Sequence, residues 1–295
     1  MKSFLILFYL ALVRLGAAEE LNQNGLNILE QQNCGVFNEN DLSLNNNEAN
    51  LGSRPWMALL KIRISDKDSF ACLGTLITDR FLLTAAQCAK YGEIKSVRLG
   101  EYDQSKDPDC RSYDSKEKCL PSVEDIDVER VVLHEDYKNS LGSNDIALVQ
   151  LSRKVEFKEH IRPICLPLNS ALQQQVESLQ SMLLTGWGYD DKFSSENDVL
   201  REVIAPIADR QNCSQHLRGI KIEQSQFCSY MNGILCKGTS GAPLSKPVDY
   251  LGKQRFVQFG IVSFGSTSCS TSSLEVNTNV GSFMPWITRV LGQPL

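Results

Sequence analysis

Cysteine and histidine have the widest chemistry of any residue types in this chain, and their spacing separates two uses. There are ten cysteines: Cys34, Cys72, Cys88, Cys110, Cys119, Cys165, Cys213, Cys228, Cys236 and Cys269. Metal sites made of such residues show close pairs, such as C-x-x-C, or histidines at short fixed offsets. No C-x-x-C pair occurs here, and the three histidines, His134, His160 and His216, are scattered. An even cysteine count in an exported chain implies a disulfide framework instead, although sequence alone does not fix the pairing. The third cluster with chemical potential is acidic. Glu101 to Arg130 carries an excess of carboxylates and encloses Cys110 and Cys119. Such a stretch is either a solvated surface loop or a calcium site built from oxygens. No diagnostic ligand spacing is present, so it reads as the loop.

The export signal is the opening MKSFLILFYLALVRLGAAEE. Lys2 gives a positive start, Ser3 to Val13 an apolar run, and Gly16-Ala17-Ala18 a small-residue tail, so residues 1–18 read as a signal peptide cleaved near Ala18. The run is shorter than the roughly 20 apolar residues that span a bilayer, and Arg14 interrupts it. No later stretch is long and apolar enough to be a membrane helix. The net charge of −5 is mild and no basic tract exists, which argues against nucleic-acid or anionic-membrane partners.

Residues 19–50 are polar and asparagine-rich and read as a loosely ordered lead-in that only Cys34 could tie down. From Trp56 the texture changes. WMALLKIRI, LGTLI, FLLTAA, SVRLG, VERVVL and DIALVQL recur between turn signals. SMLLTGWG, LREVIAPI, FVQFGIVSFG and LEVNTNV follow in the second half. Short β-rich runs of this kind indicate an all-β sandwich or barrel, in one large unit or two packed lobes. SFMPWITRVLG places Phe283, Ile287 and Val290–Leu291 at helical spacing and predicts a closing helix.

Four segments taken together, LLTAAQC (82–88), NDIALVQL (144–151), LLTGWG (183–188) and CKGTSGAPL (236–244), resemble the trypsin-like, chymotrypsin-fold serine proteases. VRLGEYD (97–103), HIRPICLPL (160–168) and the cysteine pair in the acidic loop narrow the resemblance to secreted arthropod members. It covers about residues 43 to 292, which leaves 19–42 as a polar N-terminal segment and 43–295 as the domain. A clip domain needs several cysteines, and only Cys34 lies upstream, so none is expected. The resemblance implies two six-stranded β-barrels with the catalytic groups between them. It implies the pairs Cys34–Cys165, Cys72–Cys88, Cys213–Cys228 and Cys236–Cys269, with Cys110–Cys119 left as a loop staple. Asn212-Cys213-Ser214 has the form of a glycosylation sequon, but its middle residue is then disulfide-bonded.

The resemblance places the nucleophile at Ser240 and the orienting aspartate at Asp145. A serine hydroxyl attacks only when a base takes its proton, and histidine serves because its ring accepts that proton and passes it on. Here the base position is Gln87, whose amide has no basic site near neutral pH; it could hydrogen-bond Ser240 but not cycle a proton. The family places the segments of the three histidines on the surface. Its proteases also form the oxyanion hole by pairing a newly cut amino terminus with an aspartate before the serine. That position is Thr239, beside Gly238, and Ala242 replaces a glycine further on. The expected activation stretch aligns with Leu42-Ser43-Leu44-Asn45-Asn46, and no Arg or Lys occurs from Glu19 to Ser53. The specificity-pocket floor falls at Ile234 and the opposite wall at Glu275, which would fill the pocket or charge it. Ser263-Phe264-Gly265 keeps the edge that relatives pair with substrate backbone. No cofactor is required by this reading; calcium enters only through Glu101, which matches a ligand of the family's calcium loop.

The expectation is therefore a secreted protease homologue without peptidase activity. It would bind secreted proteases or their substrates as cofactor, decoy or regulator in an extracellular cascade such as immunity or melanisation. The alternatives are a weak, atypical peptidase using Ser240 and an inert adhesive domain. The oligomeric state is left open.

Overall fold

A computed structural model describes residues 20–42, 47–113, 116–138, 142–188, 198–217, 219–230, 233–266, 269–270 and 273–294. The signal peptide and Ser43-Leu44-Asn45-Asn46 of the aligned activation stretch lie outside the described residues.

The recurring β-rich runs form two closed antiparallel barrels of six strands. The first contains β1 (Met57–Ile64), β2 (Lys67–Leu76), β3 (Phe81–Thr84), β4 (Glu93–Leu99), β7 (Glu124–Leu133) and β8 (Ala147–Leu151), in the order β1-β2-β3-β8-β7-β4. The second contains β9 (Ser181–Gly186), β10 (Arg201–Ala208), β11 (Gln226–Tyr230), β12 (Pro243–Tyr250), β13 (Lys253–Gly265) and β14 (Leu274–Asn279), in the order β10-β11-β14-β13-β12-β9. A hairpin of β5 (Cys110–Tyr113) and β6 (Lys116–Cys119) stands apart. Five disulfides join Cys34–Cys165, Cys72–Cys88, Cys110–Cys119, Cys213–Cys228 and Cys236–Cys269, the pairs that the resemblance implies.

β3 and β8 are buried at every residue, which is why FLLT and ALVQL lack the alternation of a half-exposed strand. They lie within one apolar core that runs through both barrels. Polar bonds also cross between barrels. The Leu73 N–H donates to the Ser240 carbonyl at 2.9 Å, and the Thr75 hydroxyl donates to Gln258 at 2.6 Å. Short helices α2 (Cys88–Tyr91), α3 (Ser170–Gln174) and α4 (Arg210–His216) fill connections, and α5 (Met284–Leu291) closes the chain as expected. Asn212 of α4 donates from its amide to the Tyr230 hydroxyl at 2.9 Å.

The loosely ordered lead-in is corrected over its described part. Gln23–Glu30 form helix α1, capped by Asn22 Oδ1, which accepts from the Gly25 N–H, and α1 packs on α5. Sequence texture missed it because one buried residue per turn suffices here: Gly25 and Leu29 are the buried positions. The Asn22 N–H donates to the Thr288 hydroxyl at 3.0 Å. Further on, Cys34 is bridged to Cys165, and the buried Arg54 guanidinium donates to the Asp41 carbonyl at 2.9 Å and to Glu202 at 2.5 Å. The acidic stretch is also corrected in part, because Glu101, Asp103 and Asp109 are buried.

The α1–α5 contact gives a prediction of sign. Alanine favours a helix over glycine by about 1 kcal/mol. At Gly25, however, an added Cβ would meet the Thr288 carbonyl oxygen at 1.9 Å. Gly25→Ala is expected to undock α1 and lower the midpoint of thermal unfolding, with faster proteolysis within Gln23–Glu30. An unchanged or raised midpoint would show that α1 does not dock this way.

Candidate functional site between the barrels

The cleft between the barrels encloses about 520 Å³ and is lined by Gln87, Tyr91, Ser240, Ser263 and Glu275 among others. Gln87 is placed by the turn that follows β3. The Thr84 hydroxyl donates to the Leu73 carbonyl at 2.7 Å, and Cys88, bonded to Cys72 of β2, begins α2. Asp145 precedes β8, after Asn144 in the left-handed region at φ 56°, a conformation that asparagine tolerates better than most residues. Ser240 lies in the tight turn before β12. The next residue must be glycine: Gly241 has φ 83°, and a Cβ there would meet the Leu73 carbonyl at 2.1 Å.

The Asp145 carboxylate is buried, at 1% exposure. Its Oδ1 accepts the Gln87 backbone N–H at 2.8 Å and its Oδ2 accepts the Ser263 hydroxyl at 2.5 Å. Burial pushes its pKa above the usual aspartate value, and these hydrogen bonds pull against that shift. The Gln87 side chain does not turn to Ser240, as its sequence position allowed. Its amide nitrogen donates to the Ser263 carbonyl and its amide oxygen accepts the Tyr91 hydroxyl at 3.0 Å. Tyr91 is a site residue that the sequence reading missed. The available signal was its spacing, one helical turn after Gln87.

The histidines are elsewhere. His134 packs against Phe283 and Trp286, with ring centroids 5.3 Å away in each case. His216 is exposed on α4, its Nδ1 3.0 Å from the Asn212 carbonyl. The surface expectation fails for His160, which is 2% exposed. Its ring lies against Gly100, whose added Cβ would meet it at 2.5 Å, and burial lowers its pKa. Among the described residues, no imidazole lines the cleft.

Gly238 has φ 79° and Thr239 is buried. The Thr239 carbonyl accepts the Ala242 N–H at 2.8 Å, and its methyl group packs toward Gly188. The Ala242 methyl is fully buried.

Ile234, aligned with the pocket floor, is half-buried and packs against the apolar core. The wall residue Glu275 lines the cleft, and the rest of its side chain is buried. It stands opposite Gly265 on β13 and Ser229 on β11. Its Oε1 accepts the Ser229 hydroxyl at 2.9 Å, and Ser229 in turn accepts the Asn277 amide at 2.8 Å. The glutamate thus takes up the space beneath Gly265, where an added Cβ would already meet Glu275 Cβ at 2.9 Å. Burial pushes its pKa up to about 7.

After β4, Glu101 is also raised to about 7, by burial and by the neighbouring Asp109 carboxylate. Its Oε1 accepts the Tyr102 N–H at 2.9 Å and its Oε2 lies 3.4 Å from the Arg98 guanidinium. Asp109 accepts the Tyr102 and Asp103 N–H groups at 2.9 and 3.0 Å.

Two closed barrels with Gln87, Asp145 and Ser240 at their seam define a chymotrypsin-like architecture. The family model described as Trypsin matches residues 44–287, and the chain belongs to this family. It is 39% identical over 279 residues to Serine protease grass of Drosophila melanogaster, covering 92% of this chain and 73% of that protein. It is 34% identical over 288 residues to the CLIP domain-containing serine protease HP8 of Bombyx mori, covering 92% and 75%. Phenoloxidase-activating factor 1 of Holotrichia diomphalia is 31% identical over 268 residues, covering 86% and 71%. The crystal structure of the Drosophila Grass clip serine protease of the Toll pathway superposes with a TM-score of 0.84 at 38% identity, covering 92% of this chain and 78% of that one.

The buried Glu275 gives a pH prediction. A carboxylic acid with a raised folded-state pKa binds its proton more tightly folded than unfolded. The stability it contributes is full below the ordinary glutamate value of 4.5 and is lost as the pH rises through about 7. Glu275→Gln keeps an acceptor for Ser229 and removes the ionisation. Its unfolding midpoint is expected to exceed the wild type's at pH 8, with the difference shrinking at pH 5. A difference independent of pH would contradict the buried, ionisable assignment.

Proposed function

We propose that this chain is a secreted, catalytically inactive serine protease homologue that acts by binding in an extracellular proteolytic cascade. The observation that carries the reading is the state of Gln87. A neutral carboxamide stands where the cycle needs a base, and both of its polar atoms are engaged away from Ser240. An amide cannot accept the serine proton and return it to a leaving group. Loss of the base alone typically costs about 10⁴-fold or more, because triad members act as a unit.

The region around Thr239 supports the same reading. A family protease needs an anion there to receive a new amino terminus; a threonine hydroxyl is neutral. A misformed oxyanion hole costs about 10²–10³ in addition. The basic residue for a trypsin-type cut is missing from Glu19 to Ser53. Retained Asp145 and Ser240 are read as inherited scaffold, bonded locally.

The cascade role rests on the relatives, whose names include Phenoloxidase-activating factor 3 and Spaetzle-processing enzyme. Partners on this reading are secreted proteases or their substrates, and neither nucleic acid nor membrane. No cofactor is required. Glu101 is the position that would bear on a calcium ion, but its Oε1 already accepts the Tyr102 N–H and its Oε2 faces Arg98, so the site as folded leaves it no free oxygen for one.

Gln87→His is the direct test, since it restores the missing base and nothing else. The variant is expected to hydrolyse peptide esters and amides no faster than the wild type, because the Thr239 region is unchanged. Turnover above background by this single variant would show that only one component had been lost, and would reopen the reading of the chain as a weak peptidase.

A further inference from the structure

β13 carries a strand edge on which the first carbonyl beyond the β12 pairing is occupied by the protein itself. Along β13 the pairing with β12 ends at Pro243 opposite Ile261, while the pairing with β14 continues to Gly265. The Val262 backbone is satisfied on the β12 side, donating to the Ala242 carbonyl at 2.9 Å and accepting the Gly241 N–H at 3.0 Å. The next carbonyl on β13, that of Ser263, faces the cleft, and its donor is the Gln87 carboxamide. An exposed strand edge is a template on which an extended peptide adds by main-chain hydrogen bonds. A carboxamide N–H has the donor chemistry of a peptide N–H, so Gln87 stands in for the first residue of such an added strand.

The stand-in is held at three points. Its backbone N–H is bonded to Asp145, its side-chain oxygen to Tyr91, and its side-chain nitrogen to Ser263. Phe264 is packed so closely on Gly142 that a Cβ there would meet the ring at 2.5 Å, which fixes the β13 backbone behind the contact.

We propose that Gln87 is an intramolecular cap that closes the β13 edge to extended peptides. Partners would then dock on other faces of the protein. The inference rests on the Gln87 geometry and on the proposed absence of peptidase activity, since a peptide substrate would need the same edge.

The probe is a fluorescein-labelled eight-residue peptide of alternating valine and serine, followed by fluorescence polarisation. Gln87→Ala and Gln87→Met each remove the donor, and the methionine keeps the bulk. Both variants are expected to bind the peptide about five- to tenfold tighter than the wild type, the gain from one freed backbone acceptor. Methylating the central amides of the peptide should abolish the gain. Equal binding by all three proteins, or binding by none, overturns the cap. A check needs no variant: the Gln87 side-chain amide protons of the wild type should be protected from solvent exchange, and free exchange overturns the cap as well. Recovery of intact peptide by mass spectrometry keeps this result separate from any question of hydrolysis.

Discussion

The buried carboxylate of Asp145 joins the two halves of this molecule. It sits before β8 of the first barrel, yet one oxygen takes the Ser263 hydroxyl from β13 of the second, and its backbone carbonyl takes the Thr278 hydroxyl from β14 at 2.8 Å. The other oxygen takes the N–H of Gln87. A buried carboxylate is tolerated only when it is paired or hydrogen-bonded. Here every donor is neutral, so no cation is needed at this junction. This separates the fold from the catalysis: the Asp145 bonds survive with a glutamine at position 87, because the N–H they require belongs to the backbone.

The same self-sufficiency holds elsewhere. Thr239 is neutral, so that position offers no carboxylate. The anchoring of the N-terminal part falls instead to Arg54. Its guanidinium is bonded to Glu202 through two nitrogens at 2.5 Å, and the Thr185 hydroxyl donates to the same carboxylate at 2.7 Å. Removing one member of such a fully buried pair leaves a charge without compensation, which is strongly destabilising. The pair also reaches the Asp41 carbonyl, so it ties the segment before β1 to β10.

Much of the architecture was legible because β-strands, turns and cysteines leave local signals. The short apolar runs became strands, Phe283 to Leu291 became the closing helix, and the family resemblance supplied the cysteine pairs. What stayed illegible was set by tertiary context. α1 has a polar composition and is ordered by its contact with α5, not by its own pattern. His160 belongs to a segment read as surface but is covered by Gly100. Glu275 aligned with a pocket wall, but its bond to Ser229 and its place opposite Gly265 come from strand register. Glu101, Asp103 and Asp109 look like a solvated run, but their carboxylates turn inward onto backbone N–H groups. Gln87 was legible as a departure from the family's motif; its bonds to Ser263 and Tyr91 depend on strand placement that sequence does not encode locally.

The central claim is that this cleft no longer activates a serine. It is tested most directly by exposing the purified protein to a fluorophosphonate probe, before and after treatment with a trypsin-like activating protease, beside an active relative. The account predicts no labelling of Ser240 in either state while the relative is labelled. Labelling at Ser240 would contradict it, since that would require both an activated hydroxyl and a formed oxyanion hole.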